Sequence, residues 1–507
     1  MAFIGSILQE VVKRKKFIQQ HVDGVVLQEK VLRKLLLKAQ FTAFGNKYNF
    51  SKILKSNDVR SAFNQNVPVY DYNKMLDEFW QRTKNGEANI SWPGKVKYFG
   101  LTSGTSDAAS KTVPITSDMI KAIRRTSLSQ LETLSLFDLP ASFYEKSVLM
   151  LGGSTDLIKV ENRYEGDLSG ILTKNIPKWF SRFYKPGYKI SNIRDWATKL
   201  EQITINAHKW DIGIIAGVPA WVQILLEKIV AHYNVKDIHE IWPNLQLFIH
   251  GGVSFAPYKN SLSKYLGKEI YFLETYLASE GFLAFRHADE NAMKLVLNNG
   301  IYFEFVPFNG KNFTDEGNLV ENPEILKLDQ VQECIEYALL ISTCSGAWRY
   351  LIGDTIKFTS LERYDIVITG RTKHFLSMCG EHLSVDNMNK AIKTISEEEN
   401  IIINEFTVAG ISYDNLFAHK WFLAIDTEVD KLLIKDKLDK CLAKLNDDYG
   451  VERKAALKEV IVEVVPTKYF YEWMRLKGKE GAQNKFPRVM KKDQFEDWEN
   501  FIFKNKS

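Results

Sequence analysis

Four stretches of the chain dictate its architecture before any other feature. They are SVLMLGG (147–153), IGIIAG (212–217), LQLFIHGG (245–252) and EIYFLETY (269–276). Each is a short, nearly continuous apolar run, and three of the four end in glycine. A strand with one wet face alternates apolar and polar residues. A continuous run marks a strand covered on both faces, as in a parallel sheet with helices packed on either side. Helical patterns separate the runs, so residues from about 95 to 370 read as a mixed α/β domain. KLVLNNGIYFEFVP (294–307) is different: Asn299-Gly300 between two apolar runs predicts a hairpin and antiparallel additions to the sheet.

The flanks follow other rules. Residues 1 to about 90 read as helical, and GVVLQEKVLRKLLLKAQFTAFG (24–45) keeps an apolar stripe at three- and four-residue spacing up to Gly45. Ile4, Ile7, Leu8, Val11 and Val12 share one helical face, expected to pack on the protein. After about residue 380, VDNMNKAIKTISEE, FTVAGIS, WFLAIDT, KLLIKDKLDKCLAKL and EVIVEVVP give the order α-β-β-α-β, a small α+β open sandwich. The expected division is a large N-terminal domain (1–378) and a small mobile C-terminal domain (379–507), hinged near Ser377–Glu381 at Gly380. A chain of 507 residues is long for one core, which agrees with two domains.

Composition excludes some functions. A net charge of +5 over 507 residues gives no reason to expect nucleic acid as a partner. No apolar run reaches the ~18 residues needed to span a bilayer, and the N-terminus lacks the basic start of a secretory signal. The 4 cysteines form no CxxC pair and have no histidine at zinc spacing, which points to inert thiols in a reducing, cytoplasmic setting. A monomer is expected.

Five motifs can carry chemistry, each with an ordinary alternative. In TSGTSDAASK (102–111), Gly104 permits a turn whose N–H groups converge on an anion. Ser103, Thr105, Ser106 and Ser110 can donate hydroxyls, and Lys111 adds charge. The ordinary reading is a surface turn. In LETYLASEGFLAFR (273–286), Tyr276, Ser279 and Glu280 follow a buried strand, at the edge where α/β sheets bind ligands. A carboxylate beside a phosphate calls for a divalent cation, and a solvated turn is the alternative. In WRYLIGDTIKF (348–358), Asp354 either accepts bonds from a ribose or sits in a plain Gly353-Asp354 hairpin turn. In HGGVSF (250–255), Gly251 and Gly252 either admit a flat ring against the backbone or make a tight turn. QNKFPRVMKK (483–492) is by default a solvated basic run.

VPVYDYNKM, ISWPGKVKYFGLTSGTS, IIAGVPAWV, TYLASEGFLAF and TCSGAWRYLIGD occur in an order that resembles the auxin-responsive acyl acid–amido synthetase (Gretchen Hagen) family, most closely its bacterial members. The resemblance covers nearly the whole chain and extends to the wider group of acyl-adenylate-forming enzymes that includes firefly luciferase. It implies an ATP- and Mg²⁺-dependent carbon–nitrogen ligase. That enzyme adenylates a carboxylic acid, then passes the acyl group to an amino acid amine, releasing AMP and pyrophosphate. It further implies that Ser103, Gly104, Thr105, Ser106 and Lys111 hold the β- and γ-phosphates and that Tyr276 lies against adenine, with Gly251 and Gly252 lining its pocket. By the same resemblance, Ser279 bonds the α-phosphate, Glu280 holds Mg²⁺, Asp354 and Arg371 bind the ribose, and Lys485 reaches the reacting phosphate. The helix over 119–137 is expected to line the acyl pocket; Arg124 or Arg125 could pair with a substrate carboxylate there, and the preferred reading of both is a solvated helix charge.

Two departures from the family pattern are plain. Asp107, Ala108 and Ala109 stand where a second loop glycine is usual. Arg349 and Leu351 alter the tyrosine–arginine pattern around Tyr350. A thioester-forming ligase and a nucleotide-binding regulator without activity are the alternatives.

Overall fold

The computed structural model describes residues 9–10, 23–102, 111–252, 255–286, 292–314, 317–372, 375–376, 383–413, 416–446, 449–450, 453, 457–479 and 485–506. The N-terminal apolar face (residues 4–12, apart from the described pair), the loop 103–110 and the hinge Ser377–Glu381 lie outside these residues.

The helix Gly24–Ala39 starts where the Asp23 carboxylate accepts from the Val25 N–H, and it buries Val31, Leu32, Leu35, Leu36 and Ala39. It stops six residues before Gly45. Thr42 intervenes: its hydroxyl donates to the Ala39 carbonyl (2.7 Å) and accepts from the Gly45 N–H (3.0 Å), capping a second helix, Ala43–Lys47. Gly45 is therefore inside a helix, and its absent side chain matters for another reason. A Cβ there would lie 2.1 Å from the Ala39 carbonyl oxygen, so glycine permits the sharp corner between the two helices.

The central sheet has eleven strands. Tyr184–Lys185, Ser147–Leu151, Ile212–Gly217, Leu247–Gly251 and Tyr271–Ala278 lie side by side and parallel, as the apolar runs predict. Gly281–Arg286 then turns back antiparallel on Tyr271–Ala278. Met293–Leu295, Asp365–Arg371, Tyr350–Ser360, Glu336–Thr343 and Ile301–Pro307 continue the antiparallel half. Trp196–Asn206 and Pro219–Tyr233 cover one face of the parallel half, through Leu200, Ile203, Trp221 and Leu225 packed on Leu149, Ile215 and Phe248. Leu134, Leu139 and Phe143 cover the other, on Ile214, Leu247 and Leu273.

The Asn299-Gly300 hairpin does not form. Met293–Leu295 and Ile301–Pro307 belong to the same sheet, but Asp365–Arg371, Tyr350–Ser360 and Glu336–Thr343 separate them. The Asn299 amide instead donates to the Ala122 carbonyl and the Thr126 hydroxyl of the helix Ser117–Glu132, and the Gly300 carbonyl accepts from the Cys344 N–H at 2.9 Å. Tertiary partners thus outweigh the local turn preference of the dipeptide.

The C-terminal part follows the order read from the sequence: Val385–Glu398, Phe406–Tyr413, Leu416–Ala424, Lys431–Leu445, Leu457–Val465. Its sheet has the order first–second–third, antiparallel and then parallel. The two long helices pack through Ile392, Ile395, Leu438 and Leu442 on Val408, Trp421 and Val460. Two further helices, Thr467–Leu476 and Lys492–Lys506, cover the opposite face with Phe470, Trp473, Phe495 and Trp498. Among the described residues no helix is long and apolar enough to cross a membrane.

Candidate active site

The C-terminal edge of the parallel strands ends in a group of charged side chains drawn from distant segments. Tyr276 lies near the end of Tyr271–Ala278, and Ser279 and Glu280 form the turn into Gly281–Arg286. Gly281 has φ 151°, and a Cβ there would sit 2.6 Å from Ile301 Cδ1, so a side chain is excluded where the turn meets the core.

Asp354 is placed by a bulge. Tyr350–Ser360 is one continuous strand, so Gly353-Asp354 is not a hairpin turn. Between the pairs Leu340↔Leu351 and Ala338↔Thr355 the register shifts, and Gly353 takes φ 88°. A bulge re-aims the side chain that follows it. Asp354 is thereby brought level with Arg371 on the next strand. One carboxylate oxygen pairs with Arg371 Nε at 2.9 Å, and the other accepts from the Tyr276 hydroxyl at 2.5 Å. The Asp354 carboxylate raises the guanidinium's pKa, with burial opposing.

Glu280 is close enough to feel the same charges. Burial, then the negative Asp354, pushes its carboxyl up to about 7, while Arg371 and Lys111 pull the other way. The Glu280 and Asp354 carboxylates repel each other, and a bound cation would relieve that repulsion. Tyr350, buried in the adjoining strand, has its phenol raised by burial first and by Glu280 next.

Lys485 arrives from the C-terminal part. Its Cε lies 3.1 Å and its Nζ 3.4 Å from where a Cβ on Gly252 would stand, and Gly252 has φ 86°. A side chain at 252 would therefore displace the lysine. Local desolvation, with the positive Arg371 second, lowers the Lys485 ammonium to about 8, although the residue as a whole remains exposed. Gly251 is constrained differently: a Cβ there would meet the Thr275 carbonyl oxygen at 2.4 Å.

Tyr276, Glu280, Asp354, Arg371, Gly251, Gly252 and Lys485 are thus one neighbourhood. Ser279 joins it on the side of the hairpin Tyr98–Thr102 and Lys111–Ile115: a Cβ on Gly100 would be 3.6 Å from Ser279 Cβ. Lys111 opens the second strand of that hairpin, paired with Thr102 and with its ammonium 5.0 Å from the Tyr72 ring centroid. Ser103, Gly104, Thr105 and Ser106, and the altered Asp107, Ala108 and Ala109, lie outside the described residues.

The helix Ser117–Glu132 exposes Arg124 and Arg125, and Arg124 donates to the Asn175 carbonyl at 2.6 Å. Arg349 is structural. It pairs with Glu304 at 2.9 Å, both side chains nearly inaccessible, and donates to the Asn64 and Val67 carbonyls.

Family models match in chain order: the GH3 family N-terminal domain over residues 13–156 and 135–270, the central domain over 294–371, and the C-terminal domain over 386–494. The chain belongs to the GH3 family. A probable indole-3-acetic acid-amido synthetase of Oryza sativa subsp. japonica is 27% identical over 33% of this chain, and the chain spans only 30% of that GH3 protein. The indole-3-acetic acid-amido synthetase GH3.2 of Arabidopsis thaliana is 21% identical, over 86% of this chain and 91% of its own length. Among solved structures, the GH3.15 acyl acid amido synthetase in complex with 2,4-DB superposes with a TM-score of 0.76 at 18% identity, covering 100% of this chain and 96% of that one. A 2-hydroxyisobutyryl-CoA ligase in its postadenylation state shares the fold at TM-score 0.60 and 11% identity, over 95% and 90% of the two chains.

Two features of the site escaped the five motifs. Tyr350 is an ordinary tyrosine in the sequence, and only the fold sets it beside Glu280. The other is a buried group formed by Tyr258, Glu405 and Arg488, described below.

Proposed function

We propose that this GH3 protein is an ATP-dependent acyl acid–amido synthetase. A substrate carboxylate attacks the α-phosphate of ATP, giving an acyl-adenylate and pyrophosphate. An amino acid amine then attacks the acyl carbon, forming an amide and releasing AMP. The observation that carries the reading is the meeting of Lys485 with Gly252, Asp354 and Arg371 at the C-terminal edge of the parallel strands.

Each side chain has a task in that scheme. Lys485 and Arg371 supply positive charge as negative charge builds on the transferring phosphate. Ser279 bonds the α-phosphate. Asp354 keeps acceptor capacity beyond its bonds to Tyr276 and Arg371, because a carboxylate offers about four lone-pair sites. The Tyr276 ring borders the adenine, whose approach to the backbone Gly251 and Gly252 leave open. Ser103, Gly104, Thr105, Ser106 and Lys111 hold the outer phosphates. The desolvated Glu280 carboxylate fits Mg²⁺, which takes one or two protein carboxylates and fills its shell with phosphate and water. When bound, the ion neutralises phosphate charge. Closing the site over its substrates keeps water from the activated ester.

We assign residues 1–378 and 379–507 to a large domain and a small mobile one, and we place the protein in the cytoplasm as a monomer. The spacing of the 4 cysteines, with no CxxC pair, is what supports the reducing compartment. ATP–pyrophosphate exchange across a panel of carboxylic acids tests the first half-reaction. Competition between amino acids and coenzyme A then tests the acceptor. Acid-independent exchange, or thioester as the product, overturns the assignment.

Two further expectations follow from the geometry. Asp354→Ala weakens ATP binding at least tenfold, as loss of a charged acceptor worth about 1.5–3 kcal/mol per bond requires. It weakens 2′-deoxy-ATP binding less. Equal losses for both nucleotides, measured by calorimetry, remove the 2′-hydroxyl contact.

The second concerns pH. Lys485 titrates near 8 in the free protein, below its usual 10.5. It is charged below that value and neutral above it, so kcat/KM for adenylation falls as pH rises through about 8. Bound phosphates favour the ammonium, so the matching limb in kcat lies higher. Between pH 8 and 10.5 the unfolded chain holds a proton that the folded one has shed, so this group makes stability rise with pH across that window. Lys485→Ala should lack the basic limb. A limb that survives the substitution belongs to another group.

A further inference from the structure

Lys485 does not enter the site alone. Three residues after it, Arg488 donates to Glu405 at 2.5 Å, and Glu405 accepts on its other oxygen from the hydroxyl of Tyr258. Glu405 and Arg488 belong to the C-terminal part, Tyr258 to the helix Ala256–Ser263 of the N-terminal part. The Glu405 and Arg488 side chains are 4% and 12% exposed, and the Tyr258 residue 1%. The guanidinium also donates to the Phe406 carbonyl at 3.1 Å and lies 4.4 Å from the Phe406 ring centroid. Main-chain bonds hold the lysine segment to the edge of the small sheet: Val408 N–H to the Arg488 carbonyl and Met490 N–H to the Val408 carbonyl, both 2.9 Å. A small cavity lined by Trp221, Tyr258, Glu405, Tyr471, Lys485 and Arg488 lies at this junction.

The charged pair thus ties residues 485–490 to the small sheet, and the Tyr258 hydroxyl ties that assembly to the large part of the molecule. A buried ion pair adds little net stability, but its desolvated charges tolerate few alternative arrangements. Each Glu405 oxygen has a donor in this orientation because Tyr258 supplies the second. If the C-terminal part turns away, Glu405 keeps Arg488 and loses Tyr258.

We propose that Tyr258, Glu405 and Arg488 form a latch that selects the orientation in which Lys485 faces the phosphates, so that Tyr258 is a positioning residue for the adenylation step alone. This rests on the amido synthetase reading for its consequence in catalysis. The latch itself is a statement about where Lys485 spends its time.

The test separates the two. Tyr258→Phe keeps the ring and removes the hydroxyl, and Glu405→Gln keeps the shape and removes the charge. In the nucleotide-free, full-length protein, the rate at which an amine-acetylating reagent modifies Lys485, followed by mass spectrometry, reports how often the lysine leaves its place over Gly252. Both variants should raise that rate at least fivefold while lysines elsewhere react as before. Acid-dependent pyrophosphate release should fall about tenfold in Tyr258→Phe, and amide formation from a supplied acyl-adenylate should be spared. An unchanged Lys485 modification rate overturns the latch whether or not any acid is a substrate. So does an equal loss in both half-reactions. If no acid supports pyrophosphate release even in the unsubstituted protein, the functional reading fails, and the modification rate still decides the latch.

Discussion

Replacing Glu280 by alanine should depress acid-dependent ATP–pyrophosphate exchange on the order of a hundredfold or more, the scale expected when a preorganised charge on the phosphates is lost. Glu280→Gln should do the same while keeping the side-chain volume, so the loss is one of charge and not of packing. The two variants should differ from the parent in stability in a way that depends on pH. The Glu280 carboxyl is held at about 7 by burial and by Asp354, above its usual 4.5. Between those values the folded protein retains a proton that the unfolded chain has released. The group's contribution to stability therefore falls as pH rises across that window, and above it the buried charge is a cost that glutamine does not carry. Thermal unfolding of nucleotide-free Glu280→Gln should match the parent near pH 4.5 and exceed it at pH 8. Exchange at the parental rate in a folded Glu280→Gln protein would remove Glu280 from the phosphate site.

Several parts of this architecture are legible in the residues themselves. A strand buried on both faces has no room for polar alternation, so Val148–Leu151, Ile212–Ile215 and Leu247–Ile249 declare themselves. The C-terminal order α-β-β-α-β is legible for a similar reason: its helices and strands differ in hydrophobic period. The corners are not. Gly45 and Asn299-Gly300 carry strong local preferences, but Gly45 serves a close approach to the Ala39 carbonyl, and Asn299 answers to Ala122 and Thr126. Those partners lie in other elements, and no window along the chain contains them.

The site divides along the same line. Glycines and hydroxyls at strand ends can be found one motif at a time, but Tyr276, Asp354, Arg371 and Lys485 become a site only when four segments meet. The order of the motifs supplied that meeting through resemblance to a family; spacing alone left each one a turn or a solvated charge. Gly353-Asp354 shows why. The dipeptide is equally at home in a turn and in a bulge, and the choice rests on how Glu336–Thr343 pairs with its neighbour. Tyr258, Glu405 and Arg488 are less legible still, since each is unremarkable until its partners are known.

Lys485→Ala should slow acyl-adenylate formation on the order of a hundredfold, equivalent to about 2.7 kcal/mol, and should spare amide formation from a supplied acyl-adenylate. The asymmetry follows from where the lysine sits. Its ammonium lies over Gly252 and shares the field of Asp354 and Arg371, so its charge is already placed where phosphate charge will build. The pull of a charge held that way strengthens as the transition state forms. The same ammonium fills the space over Gly252 and has no task once pyrophosphate has gone. A solvated lysine in a basic tail would behave otherwise: its loss would alter neither step. Single-turnover measurement of each half-reaction distinguishes these cases. Equal losses in both, or none in either, take Lys485 off the catalytic list. A loss confined to adenylation, together with disappearance of the basic limb near pH 8, ties the charge at position 485 to the phosphate it faces.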